Sequence, residues 1–307
     1  MSVTKPLDIF ITGATGYIGG SVAAALLSRG HQVRGLVRSE QAAKQLQAMK
    51  IEPVLGSLDD VDVLRAEAER ADVVINAASS DHRNSIDILA AALFGTGKAF
   101  LHTSGSSIVG TVDRGESTEN VWDERIMDAD SAWTPHEIKA PRVAIDHRVL
   151  DLGAEGVRSA VLCNSLVYGR GLGLRQDSLQ VPALISYGLR YGAAPQIGEG
   201  ANIWSTVHIG DLCRLYTRVV EDESARGFYF VETGEASFHD MAVAIAHRFE
   251  LSGVRSLTLD EAADEWPYNM AAFSLGSNSR VRGTRARAEL GWTARHTDGV
   301  LHWIGCC

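Results

Sequence analysis

Cysteine is scarce. The chain has four in 307 residues, none at metal-ligand spacing and none in a disulfide framework. Cys163 and Cys213 sit inside apolar runs and are expected to be buried thiols. Cysteine use of this kind suits a reducing compartment, and a cytoplasmic location is expected. No polybasic segment precedes Cys306-Cys307, so no lipid anchor is expected there. A run of apolar residues long enough to cross a bilayer is missing, as is a signal-peptide core near Met1, so no membrane partner is expected. Positive charge is in deficit, with 29 Lys and Arg against 38 Asp and Glu, and a net charge of −9 argues against nucleic acid. Nucleophile-elbow, zincin and P-loop patterns are absent, and no metal site is expected. Between Tyr17 and Tyr168 there is no tyrosine at all.

What is present is organised around Thr12-Gly13-Ala14-Thr15-Gly16-Tyr17-Ile18-Gly19-Gly20. An apolar run, Leu7 to Ile11, leads in, and an Ala/Leu-rich stretch leads out, which predicts strand, tight turn and helix. Three glycines three apart have separate uses in such a turn. Gly13 permits the sharp bend, Gly16 lets a pyrophosphate approach the backbone, and Gly19 lets the helix pack closely. The helix N-terminus then offers free N–H groups and partial positive charge to phosphates.

Strand and helix signals alternate through the first half, with strands at 7–12, 32–37, 53–55, 72–76, 99–103 and 157–163. Helices are expected at 16–29, 40–49, 61–70, 85–93 and 136–152. The strands are near-continuous apolar runs, as in a parallel sheet covered on both faces. The expectation is an α/β fold, a doubly wound parallel sheet of Rossmann type with a smaller C-terminal substrate lobe. Residues 1–164 would form the dinucleotide-binding domain, completed by part of 202–232. Residues 165–201 and 233–307 would form the lobe. The second strand ends Leu36-Val37-Arg38-Ser39, with arginine where an NAD-binding unit carries a carboxylate for the ribose. A guanidinium suits the 2′-phosphate, so NADP(H) is the expected cofactor, against a competing reading of Arg38 as a surface residue with loose NAD binding. Arg34 either adds charge there or is a solvated strand residue.

These residues resemble the extended or atypical short-chain dehydrogenase/reductase superfamily, in its epimerase/dehydratase branch. Thr12–Gly19 is similar to its TGxxGxxG turn, and Gly56-Ser57-Leu58-Asp59 to its adenine-contacting GDLxD segment. Asn76-Ala77-Ala78, Val167-Tyr168-Gly169, Val207-His208-Ile209-Gly210-Asp211 and Glu289-Leu290-Gly291-Trp292 resemble further segments of that family, in the same order. The resemblance implies cofactor contacts from Gly13, Thr15, Gly16, Tyr17, Ile18, Gly19, Arg38, Ser57, Leu58, Asn76, Ala77 and Ala78. It also implies a homodimer joined through helices 85–93 and 136–152.

The family's chemistry uses a Ser/Thr after the fifth strand and a YxxxK pair on the next helix, whose lysine makes the tyrosine a usable acid. Counting back from Asp146 places Arg142 at the lysine position and Ile138 at the tyrosine position, so the pair is missing. Arg142 is left as a nicotinamide-ribose ligand with a permanently protonated guanidinium. Gly105 falls at the serine position, flanked by Ser104 and Ser106, which either reach a substrate oxygen or cap the turn. His136 and Lys139 near the start of the same helix, Asp123, and the set His82, Asn164, Tyr168, Trp204 and His208 are candidates facing the cleft. Each has a structural reading beside the functional one. The expected function is an NADP(H)-binding oxidoreductase acting on a small carbonyl or alcohol compound, with Ser104 or Ser106 holding its oxygen. The missing tyrosine keeps two alternatives open, a non-redox isomerase, dehydratase or cyclase, and a non-enzymatic NADP sensor.

Overall fold

The computed structural model describes residues 5–306, so Cys307 lies outside it. Strands β1 (Asp8–Thr12), β2 (Gln32–Val37), β3 (Glu52–Leu55), β4 (Val73–Asn76), β5 (Ala99–Gly105), β6 (Trp122–Asp123) and β7 (Arg158–Asn164) come from the first half. They alternate with helices α1 (Tyr17–Ser28), α2 (Glu40–Ala48), α3 (Val61–Arg70), α4 (Arg83–Leu93) and α5 (Ala140–Asp151). The second half supplies β8 (Leu166–Tyr168), β9 (Ala194–Ile197), β10 (Ile203–His208), β11 (Gly227–Val231) and β12 (Gly234–Ser237), with α6 (Gln180–Tyr191), α7 (Ile209–Glu221) and α8 (Phe238–Arg248).

Seven strands form one sheet in the order β11-β7-β5-β4-β1-β2-β3, parallel throughout. Apart from the edge strand β3, their side chains are largely buried on both faces, as the continuous apolar runs require. One face packs on Leu26 of α1, Leu46 of α2 and Leu215 of α7, the other on Leu64 of α3, Leu89 of α4 and Val149 of α5. The fold is therefore the expected doubly wound α/β sheet. The chain changes direction across the sheet between β1 and β4, and ligands of such sheets bind outside the strands' carboxyl ends there.

The main difference from the sequence expectation is the start of α5. A helix from 136 is expected, yet residues 136–139 form a turn and the helix opens at Ala140 with Pro141 in its first turn. Proline fits there because first-turn N–H groups have no partner within the helix. Within the expected range 202–232, β11 joins the main sheet while β10 pairs with β8 and β12 in a separate three-stranded sheet. The lobe packs its own core around Tyr168, Trp204, Phe238 and Ile245. No helix among the described residues is long and apolar enough to cross a membrane.

Arg34 supports neither sequence reading. It lies on β2 at 1% exposure, with Nε 3.0 Å from Asp8 Oδ1 and a second ion pair to Glu67. It faces the strand neighbours and α3, so its charge is spent inside the fold. Its partners Asp8 and Glu67 keep some solvent access, so losing these charge-assisted bonds costs about 1.5–3 kcal/mol rather than the full penalty of a buried unpaired charge. Arg34→Ala should lower stability by that order in chemical denaturation, with nucleotide affinity unchanged by titration.

Candidate active site

β1 delivers Thr12 to Gly13, whose φ of +80° is a conformation that suits glycine. A Cβ on Gly13 would stand 2.5 Å from the Ala77 carbonyl oxygen, and one on Gly19 would stand 2.4 Å from that of Gly13. These two glycines let the turn, the first turn of α1 and the chain after β4 meet backbone to backbone. Gly19 thus packs on the turn itself rather than on the sheet. Gly16 caps α1 without any side-chain bond, so first-turn N–H groups stay available.

The result is a cavity of about 620 Å³ at the ends of β1, β2 and β4, walled by Gly13, Thr15, Gly16, Arg38, Ser39, Ser57, Leu58, Ala77 and Ala78. Tyr17, Ile18, Gly19 and Asn76 are not in that wall. Tyr17 Oη donates to the Gly169 carbonyl at 2.8 Å, Ile18 packs against the core and Asn76 is fully buried. His82, expected near the substrate, is in this glycine-turn wall, capping α4 through Nδ1 and lying 3.2 Å from Asp59 through Nε2. Arg175 enters the same wall from the second lobe. Nothing in its glycine-rich surroundings carries a periodicity that reveals this.

A second group of side chains gathers where β5 runs out and α5 begins. Arg142 Nε and Nη2 clasp both Asp81 carboxylate oxygens at 2.8 and 2.6 Å, and Nη1 donates to Ser107 Oγ at 3.2 Å. Lys139 Nζ donates to the same oxygen at a long 3.4 Å and lies 4.8 Å over the Phe273 ring. A Cβ on Gly105 would face Arg142 Nη1 at 3.7 Å, so the position without a hydroxyl points into this group. Ser104 and Ser106 do not. Ser104 Oγ donates to Asp146 at 2.8 Å, and Ser106 Oγ is 2.6 Å from Ser279 Oγ, both pairs buried. The hydroxyl beside the cations belongs to Ser107, two residues after the expected register, because residues 106–109 turn in a short 3₁₀ helix.

Electrostatics follows from burial. Lys139 is 8% exposed, and loss of solvent, reinforced by the Arg142 charge, brings its ammonium pKa down to about 8. Asp81 is held below the usual carboxylate range by the hydrogen-bonded Arg142 guanidinium. Beneath them lies a buried polar chain. Thr12 Oγ1 donates to Asn76 Oδ1 at 2.6 Å, and Asn76 Nδ2 donates to His102 Nδ1 at 3.1 Å. His102 Nδ1 is then the acceptor, so a neutral ring carries its proton on Nε2, 3.5 Å from Asp146 Oδ1. Burial pushes His102 down to about 4 and Asp146 up to about 7.

The remaining candidates are engaged elsewhere. Asn164 Nδ2 donates to Tyr216 Oη at 3.2 Å, and Trp204 Nε1 donates to the Ser277 carbonyl at 2.8 Å. Tyr168 is buried between His208 and Trp303. His208 caps α7 and stacks on His296 with ring centroids 3.6 Å apart. Asp123 is paired with Arg125. His136 packs edge-on against Phe273 and lines a separate cavity of about 280 Å³ with Trp122, Trp133, Thr134 and Arg280. That cavity also includes Ile108 and Val109, so it starts one residue beyond Ser107.

Comparison with known proteins bears on the family and the fold. The profile of the NAD dependent epimerase/dehydratase family matches residues 9–229. The oxidase ucsJ of Acremonium sp is 33% identical, over 92% of this chain and 92% of its own. A Stigmatella aurantiaca protein, 4-hydroxy-2-methyl-3-oxo-4-farnesyl-3,4-dihydroquinoline-1-oxide ketoreductase, is 25% identical over 95% and 94%. Among solved structures, a dTDP-glucose 4,6-dehydratase from Bacillus anthracis, in complex with NAD, superposes with a TM-score of 0.74 at 15% identity, covering 95% of this chain and 92% of that one.

The buried pair makes an opposed pH signature. Between about pH 4 and 7 native Asp146 keeps a proton that the unfolded chain has released, which lowers stability as pH rises. Between about pH 4 and 6.5 native His102 lacks a proton that the unfolded chain holds, which raises stability with pH. The two contributions oppose one another. Relative to wild type, His102→Gln removes the rising contribution, so the slope of stability against pH should shift downward across that window by up to about 1.4 kcal/mol per unit. Asp146→Asn should shift the slope the opposite way. Denaturant midpoints measured at several pH values would check both.

Proposed function

The chain belongs to the NAD dependent epimerase/dehydratase family, and from that premise we propose that it is an NADP(H)-dependent oxidoreductase that reduces a carbonyl group on a small substrate, with Lys139 as the proton donor. The observation that carries this reading is the convergence of Lys139 and Arg142 on Ser107 Oγ. The likeness to a ketoreductase over nearly the whole chain supports the carbonyl.

The glycine turn fits a dinucleotide, because it leaves the space beside Gly13 and Gly16 free of side chains and the N-terminus of α1 uncapped. Arg38 has no ion-pair partner among the described residues, which suits it to the additional phosphate of NADP(H). When bound, a reduced nicotinamide supplies a hydride for the carbonyl carbon.

The side chains handle the proton. Ser107 Oγ accepts from two cations, so its own O–H is left to point at the substrate oxygen. Arg142 cannot lose its proton and, held by Asp81, fixes Ser107 and keeps positive charge beside the developing oxyanion. Lys139 is protonated at neutral pH yet much more acidic than an exposed lysine, as a general acid needs. Its proton passes to the substrate oxygen as the C=O bond becomes CH–OH. Ile138, at the position of the missing tyrosine, is 44% exposed and offers no proton. The cavity lined by Trp122 and Trp133, whose rings are tilted 60° to one another, gives an aromatic-walled seat for the rest of the substrate.

We also propose a homodimer through α4 and α5, whose solvent-facing sides carry Ala91, Ala140 and Ala144. Light scattering should return twice the chain mass at micromolar concentration.

Lys139→Met should lower kcat by about 10²-fold or more, and Ser107→Ala by a similar or smaller factor, whereas Ser104→Ala and Ser106→Ala, whose hydroxyls act only through packing, should cost turnover less than Ser107→Ala. The wild-type kcat/KM for reduction should fall as pH rises through about 8, where Lys139 loses its proton. Loss of reduced-cofactor absorbance with quinone-like and other ring carbonyl compounds would follow each. Product formed without cofactor consumption would favour the isomerase or dehydratase alternative.

A further inference from the structure

Residues 169–176 cross from the second lobe to the first helix of the nucleotide-binding sheet. Three ties hold them there. Tyr17 Oη donates to the Gly169 carbonyl at 2.8 Å, and the Leu172 N–H donates to Ser21 Oγ at 3.0 Å. Gly173 lies so close to α1 that a Cβ on it would stand 2.8 Å from the Gly20 Cα. The segment closes on itself as well, the Gly171 N–H donating to the Gln176 carbonyl at 2.8 Å and Arg170 Nε to the Gln176 side chain at 2.8 Å. This anchored strap carries Arg175 into the wall of the nucleotide cavity.

Charge balance says what it does there. The basic residues in that wall are Arg38, Arg175 and His82, and His82 is paired with Asp59. Neither arginine has an ion-pair or hydrogen-bond partner for its side chain among the described residues. The pyrophosphate has the α1 N-terminus. A phosphate monoester carries a charge between about −1.5 and −2 at neutral pH, which one guanidinium does not neutralise. We infer that Arg175 is a second determinant of cofactor choice, donating together with Arg38 to the 2′-phosphate of NADP(H). This rests on the NADP(H) reading above. It makes the strap a link between the two lobes, since the element that contacts the cofactor continues into α6 of the lobe.

The test is equilibrium binding of NADPH and NADH to the full chain by calorimetry, for wild type, Arg38→Gln, Arg175→Gln and the double variant. Arg175 is exposed, so its substitution leaves the fold intact. Arg175→Gln should weaken NADPH about tenfold, the value of one charge-assisted contact, and NADH less than twofold. The double variant should bind the two cofactors equally. Unchanged NADPH affinity in Arg175→Gln, or equal weakening of NADPH and NADH, would overturn the role of Arg175 while a lost preference in Arg38→Gln upheld the cofactor reading. Equal affinities in the wild type would overturn both.

Discussion

The buried chain from Thr12 through Asn76 and His102 to Asp146 and Ser104 is the constraint on which the reaction side depends. It runs from β1 through β4 and β5 into α5: Thr12–Asn76, Asn76–His102 and Ser104–Asp146 are hydrogen bonds, and His102 Nε2 faces Asp146 Oδ1 at 3.5 Å, outside hydrogen-bond geometry. Hydrogen bonds in a low-dielectric interior are strong, and an unpaired member there is costly. The chain therefore sets the rotation of α5 against the sheet. Arg142 lies one helical turn before Asp146, so fixing Asp146 aims Arg142 at Ser107 and Asp81. Lys139 precedes the helix and follows its position.

Buried polar contacts also close the cleft from the far side. Glu124 accepts from the N–H groups of Phe230 and Thr284 and from the Thr284 hydroxyl, which ties the segment after β6 to the main sheet and to the C-terminal segment. Ser106 pairs with Ser279, and Asp113 accepts from the Asn278 side chain and backbone. Residues 106–124 and 277–284 thus hold one another, and Trp122, which pairs with Arg280 through its backbone, is placed by that mutual support. Two serines with the composition of catalytic candidates serve as struts in this scheme.

The cofactor side was legible because its signals are local. A glycine turn between a strand and a helix is a property of nine consecutive residues, and positive φ at Gly13 follows from the turn itself. Arg38 is placed by the end of β2, one residue beyond Val37. Asn76 closes β4 and its side chain turns inward to Thr12 and His102, while Ala77 and Ala78 after it line the cavity. The helix α5 starts four residues later than expected, because the chain turns over 136–139 ahead of Pro141 in the first helical turn.

By itself, then, the sequence determined the alternation of strands and helices, the glycine-rich turn between β1 and α1, the arginine after β2 and the isoleucine at 138. All of these are set by neighbours in the chain. Only the tertiary structure decided which serine meets the cations, that Lys139 loses its solvent and becomes a weaker base, and that Arg175 crosses between lobes to the nucleotide cavity. These depend on burial and on contacts between residues far apart in the chain. Desolvation of an ammonium and the meeting of two arginines at one cavity are properties of packed surfaces, which no spacing along the chain encodes.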